Sequence, residues 1–220
     1  MTRLRRGGRA AAAAVLLAAC AGPPVPDWKL SSKAAVDGSV AAYLSGDTAL
    51  AARQFELARS EVARTGRADL LARTELIRCA ARVASLQFEA CEGFESLRSQ
   101  ADAPERAYAD FLAGRLRPQD IGLLPSEQRT AARSSADAAA DALRSIEDPF
   151  SRLVAAAVLF ESARASPAAI SLAVDTASAQ GWRRPLLAWL NVQALRAEKA
   201  GALDEAERLR RRIGLVQEPN

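Results

Sequence analysis

The chain has 220 residues, with 30 Lys or Arg against 26 Asp or Glu, a formal net charge of +4. The excess lies in Arg3, Arg5, Arg6 and Arg9, and the remainder is balanced, so composition supplies no basic surface for phosphate backbones. Histidine is absent, which excludes Ser-His and Cys-His nucleophile pairs, His-containing zinc sites and the commonest general base.

The first element is the apolar run from Ala10 to Cys20, which is too short for the ~20 residues a membrane-spanning helix needs. Four arginines without an acid precede it and small residues close it, the three parts of an export signal. Its end, Leu17-Ala18-Ala19-Cys20, resembles the lipobox of bacterial lipoprotein signal peptides. That resemblance implies cleavage before Cys20, acylation of its thiol and new N-terminus, and a mature chain attached to a membrane by lipid. An ordinary cleaved signal with an incidental cysteine is the alternative. The residue after Cys20 is Ala21, not Asp, which in lipoprotein families implies delivery to the outer membrane with the protein facing the periplasm.

Residues 1–19 are therefore expected to be signal peptide, and residues 20–30 a lipidated cysteine followed by a tether. Pro23, Pro24 and Pro26 favour extended polyproline-like geometry over helix. Residues 31–216 form the folded domain, which is all-α. Ala, Leu, Arg and Glu dominate, and no stretch of sustained apolar-polar alternation occurs. Helices are predicted near residues 32–45, 47–64, 68–86, 89–100, 104–114, 126–145, 149–164, 167–180, 184–200 and 202–213. Asp148-Pro149 and Ser166-Pro167 each place a capping residue before a proline, and Ser126 follows Pro125 as a third cap. Gly46, Gly66, Gly181 and Gly201 fall where helices should stop.

Short turns make successive helices antiparallel neighbours. The segment YLSGDTALAARQFELAR (Tyr43–Arg59) resembles the second half of a tetratricopeptide repeat. Gly46-Asp47 makes the turn, and Ala51, Phe55 and Ala58 give the small-large-small pattern that lets two helices approach while the ring fills a groove. Leu195–Ile213 carries the idea again with Gly201 and Ala206, but Arg210 takes the bulky position. Between these copies no fixed period survives. The resemblance implies a short tetratricopeptide-like α-solenoid of stacked hairpins, with an irregular helical bundle as the alternative.

The remaining residues yield little chemistry. No Ser-x-x-Lys pair or Gly-rich phosphate loop occurs. Glu161-Ser162 resembles the catalytic pair of lytic transglycosylases, but Ser166-Pro167 follows where that family continues with Gly-rich sequence. Glu56, Glu61, Asp204, Glu205 and Glu207 lie among arginines at helical spacing, as surface ion pairs do. Arg208, Arg210, Arg211 and Arg212 suit a helix C-terminus, with anionic lipid or a partner as the alternative. Trp182 and Trp189 suit core packing or an exposed anchor.

Cys79 and Cys91 are an even pair in an oxidising compartment. On one straight helix they would lie ~18 Å apart, whereas a turn near residues 87–89 brings them within disulfide reach. Two buried thiols are the alternative. The expectation as a whole is a non-catalytic, outer-membrane-anchored lipoprotein that binds envelope proteins or peptides, without cofactor, metal or nucleic acid. A peptidoglycan-acting enzyme using a carboxylate and a purely structural envelope lipoprotein compete with it.

Overall fold

The computed structural model describes residues 24–218. Cys20 and the signal segment lie outside the described residues. Among those residues all regular structure is helical: α1 (Asp27–Ser45), α2 (Thr48–Ala63), α3 (Ala68–Ala84), α4 (Glu92–Glu95), α5 (Ala103–Leu112), α6 (Ser126–Arg133), α7 (Ala139–Arg144), α8 (Pro149–Glu161), α9 (Pro167–Ala179), α10 (Arg183–Lys199) and α11 (Leu203–Gln217). Single 3-10 segments at Arg98–Gln100 and Pro118–Leu123 complete it.

One reversal joins most of these helices. At Gly46 the backbone turns left-handed (φ 102°), its N–H donates to Tyr43 O, and the Asp47 N–H reaches back to Ala42 O at 2.9 Å. The Asp47 carboxylate then accepts from Leu50 N and starts α2. The same paired bonds close helices at Leu86, Gly114, Ala163, Gly181 and Gly201, each satisfying carbonyls that a helix end would orphan. Leu86 (φ 60°) and Ala163 (φ 57°) adopt this conformation with a Cβ, which costs about 1–2 kcal/mol. Neither residue announces a helix stop, so α3 and α8 end before the limits that 68–86 and 149–164 suggest.

Other boundaries move for identifiable reasons. α1 begins at Asp27, so Asp27–Leu30 belongs to the helix and not to the tether; Pro26, in extended geometry (ψ 138°), sits just outside the first turn, where a missing N–H costs nothing. Asp148 and Ser166 cap α8 and α9 as expected. Ser126 does not cap α6: Pro125 holds that position and the Ser126 hydroxyl donates to Glu127. The predicted helix 126–145 is broken at Ser134, whose extended backbone is held by Arg164 Nη1 donating to Ala132 O and Ser134 O. The predicted 89–100 helix shortens to α4 and a 3-10 turn.

The core centres on α8. Seven successive residues, Leu153 to Leu159, are buried, because α3, α5, α6, α7 and α9 surround the helix. Each fully buried Leu or Val there contributes roughly 1.5–3 kcal/mol. α1 and α2 pack as a hairpin on α3, and α9, α10 and α11 pack in series on α8. α10 also lies against α1, which brings the last third of the chain onto the first. Trp189 is fully buried there, donates its indole N–H to Ala84 O at 3.2 Å and meets Phe160 edge-on.

Polar contacts fix two other junctions. Glu75 of α3 is buried and accepts from Arg59 of α2 (3.1 Å) and Arg78 (2.7 Å). Gly93 of α4 lies directly over this carboxylate, so an added Cβ would fall 2.2 Å from Glu75 Oε2. Glu105 of α5 is likewise buried and accepts from Arg73 of α3.

Two substitutions test these points with opposite signs. Ala163→Gly, at an exposed site with positive φ, should raise unfolding free energy by about 0.5–1 kcal/mol in urea titration. Gly93→Ala should lower it by about 2 kcal/mol or more, although Gly→Ala in an open helix gains about 1 kcal/mol, because the new methyl collides with the Glu75 carboxylate.

Candidate functional site

The repeat-like residues all serve packing. Ala51, Phe55 and Ala58 of α2 and Ala206 of α11 are buried, and Gly46 and Gly201 make the left-handed turns. Arg210, in the position parallel to Phe55, stays exposed and pairs with Glu198 of α10. Along α2, the i, i+4, i+7 spacing of Ala51, Phe55 and Ala58 turns them inward. Phe55 and its neighbours on α2, with facing residues of α1 and α3, line a cleft of about 140 Å³.

Val36, Val40, Tyr43, Ala52, Phe55 and Ile77 form its apolar walls. The hydroxyls in it are occupied: Ser39 donates to Ala51 O and Thr74 to Leu70 O. Arg78 lies 4.1 Å over the Phe55 ring while bonded to Glu75, an arrangement that stiffens the wall. At one end, the Tyr43 hydroxyl donates to Gln87 Oε1 at 2.5 Å, and Arg82 pairs with Glu89 at 3.2 Å. Arg184 of α10 stacks on Tyr43 beside this end, 4.3 Å from the ring centroid. Burial pushes the Tyr43 phenol up, against the pull of Arg184 and Arg82.

A second depression, about 470 Å³, continues from Ile77 along α3 to Tyr108, Pro104 and Leu123. Burial pushes the Tyr108 phenol far up, so it stays protonated. With the first cleft it makes a mostly apolar track across α3, bounded by α1 and α2 on one side and by α5 on the other.

On another face, a cleft of about 390 Å³ is lined by Cys79, Cys91, Glu89, Glu95, Arg115 and Glu161. Cys79 of α3 and Cys91 are paired as half-cystines across the Leu86–Ala90 turn, with Cα atoms 5.9 Å apart. Arg98 donates to both oxygens of Glu95 and holds its carboxyl below the usual range. Glu161 is exposed at the end of α8, beside that cleft.

The other singled-out residues are structural in placement. Trp182 precedes α10 half-buried, and Trp189 is in the core. Arg208 and Arg211 pair along α11 with Glu205 and Glu207, and Arg212 donates to Ser178 of α9. The macrodipole explanation for this basic group fails because α11 runs on to Gln217, leaving the arginines before its last turn. Glu61 pairs with Arg64, while Glu56 lines the first cleft. Among the described residues no cluster of three or more His, Cys, Asp or Glu side chains is grouped as a metal site.

Sequence spacing did not single out Tyr43, Ile77, Arg82 or Arg184 for the cleft. Arg184 contacts a residue 141 positions earlier, and only the folding of α10 onto α1 reveals it. Compared with family profiles, curated proteins and solved structures, the chain gave no match.

The Cys79–Cys91 pairing is tested by counting thiols under denaturing, non-reducing conditions, where neither residue should react. Replacing both by Ala should cost about 2–3 kcal/mol of stability, the loop-closure contribution for this short separation. Two reactive thiols at these positions would exclude the bond.

Proposed function

We propose that the protein is a lipid-anchored lipoprotein of the outer membrane, facing the periplasm, whose helical domain is a non-catalytic binding scaffold for envelope proteins or peptides. The address rests on the resemblance of Leu17–Cys20 to a lipobox, with Ala21 after it. The observation that carries the binding role is the open apolar cleft on α1, α2 and α3, continued by the depression toward Tyr108. A groove with apolar walls and satisfied hydroxyls favours a partner's side chains over water. The tetratricopeptide-like pattern around Phe55 supports the same role, since stacked helical hairpins present extended binding surfaces.

The physical division of labour is simple. Acylated Cys20 would confine the domain to a surface, and Pro23, Pro24 and Pro26 would space it from that surface by ~3 Å per extended residue. The rigid junctions at Glu75 and Trp189 hold α1, α2 and α3 in one arrangement, so a partner meets a preformed groove.

Both halves are open to test. Metabolic labelling with a palmitate analogue should mark the wild-type chain and not Cys20→Ser, which should also leave the membrane fraction. A photo-crosslinking residue placed at Val40 or Ile77 should capture a discrete partner in intact cells. A labelled, membrane-bound protein that captures nothing from either position would favour the purely structural lipoprotein.

A further inference from the structure

The cleft between α1, α2 and α3 has unlike ends, and that difference points to the chemistry of its occupant. Its volume of about 140 Å³ suits one bulky side chain; an engineered apolar cavity of ~150 Å³ accepts a benzene ring. Val36, Val40, Phe55 and Ile77 offer that side chain dispersion contacts and no unpaired hydroxyl.

The Tyr43 end is cationic. Arg184 donates to Tyr43 O at 2.8 Å, to Gly46 O at 3.4 Å and to Thr48 Oγ1 at 2.7 Å, all neutral acceptors. It has no carboxylate partner among the described residues, and its Nη1 makes no hydrogen bond there. Arg82 lines the cleft beside Tyr43, and its single partner Glu89 is an exposed carboxylate that neutralises it weakly. Arg82 and Arg184 therefore leave guanidinium N–H groups beside one mouth of an apolar slot. Toward the other end stands Glu56, which has no ion-pair partner among the described residues. Glu56 lies two turns along α2 from Thr48, ~12 Å away.

We propose that this cleft receives the C-terminal end of a peptide or protein chain whose last residue is bulky and apolar. The terminal side chain enters between Val40, Phe55 and Ile77, and the α-carboxylate meets Arg82 and Arg184 at the Tyr43 end. Glu56 disfavours acidic residues in the segment leading to that terminus. The free Nη1 of Arg184 and the unbonded nitrogens of Arg82 can each donate a charge-assisted hydrogen bond to a carboxylate oxygen. The inference rests on the binding-scaffold reading and names the partner's chemistry within it.

The test uses the purified protein and N-terminally labelled pentapeptides Gly-Lys-Ser-Leu-Xaa, ending in Phe, Leu, Ala or Asp, each as free acid and as amide. Fluorescence polarisation should show saturable binding of the Phe and Leu free acids. Amidation, or an Ala or Asp ending, should weaken it at least tenfold. Arg82→Gln should weaken the Phe free acid several-fold and shrink its advantage over the amide, with an unchanged circular dichroism melt. Equal binding of acid and amide, or no saturable binding of any peptide, would overturn the inference. In that event, capture of a partner in cells by the Ile77 crosslinker would leave the scaffold reading standing, whereas no capture would remove it as well.

Discussion

The arrangement of this protein depends on α10 lying across the first helices. Trp189 fills the junction completely and gives its indole N–H to the Ala84 carbonyl, at the end of α3, where no helical N–H remains to bond it. Five residues before it, Arg184 spans the α1–α2 corner, bonding Tyr43 O, Gly46 O and Thr48 Oγ1 while stacking on the Tyr43 ring. The first hairpin is thereby held by its packing on α3 and, at its turn, by this guanidinium. The cleft inherits its Tyr43 end from that contact.

Buried carboxylates fix the junctions that apolar packing leaves. Glu75 joins α2, α3 and α4 through Arg59, Arg78 and the close approach of Gly93. Glu105 ties α5 to α3 through Arg73. Such ions cost desolvation and are tolerable only with well-directed partners, which the two arginines on Glu75 supply. Glu105 and the arginines Arg73 and Arg78 that hold these carboxylates line the track along α3.

Local signals in the chain read well where a residue acts on its own backbone. Asp148 and Ser166 cap α8 and α9, Gly46, Gly181 and Gly201 reverse the chain, and Ala51, Phe55 and Ala58 face inward. Signals misled where a distant partner decides. Leu86 and Ala163 end helices in a conformation their side chains oppose, and Arg164 breaks the 126–145 segment from 30 residues away by binding Ser134 O. Pro26 suggests a tether because proline disrupts helices, yet immediately before a first turn it disrupts nothing.

The sequence by itself determined the all-α class, the caps at Asp148 and Ser166, the glycine turns, the inward face of α2, and the separation of Cys79 from Cys91 by a turn. Each of these is a matter of residues within a few positions of one another, where spacing translates directly into geometry. Tertiary structure alone decided that α8 is enclosed on every side, that Gly93 must lack a side chain, and that Arg184 reaches Tyr43. Those contacts join positions tens to more than a hundred residues apart, and no local propensity encodes which distant surfaces will meet. The cleft belongs to this second kind: its apolar walls are ordinary helix residues until α1, α2 and α3 are assembled and α10 sets a cation at one end.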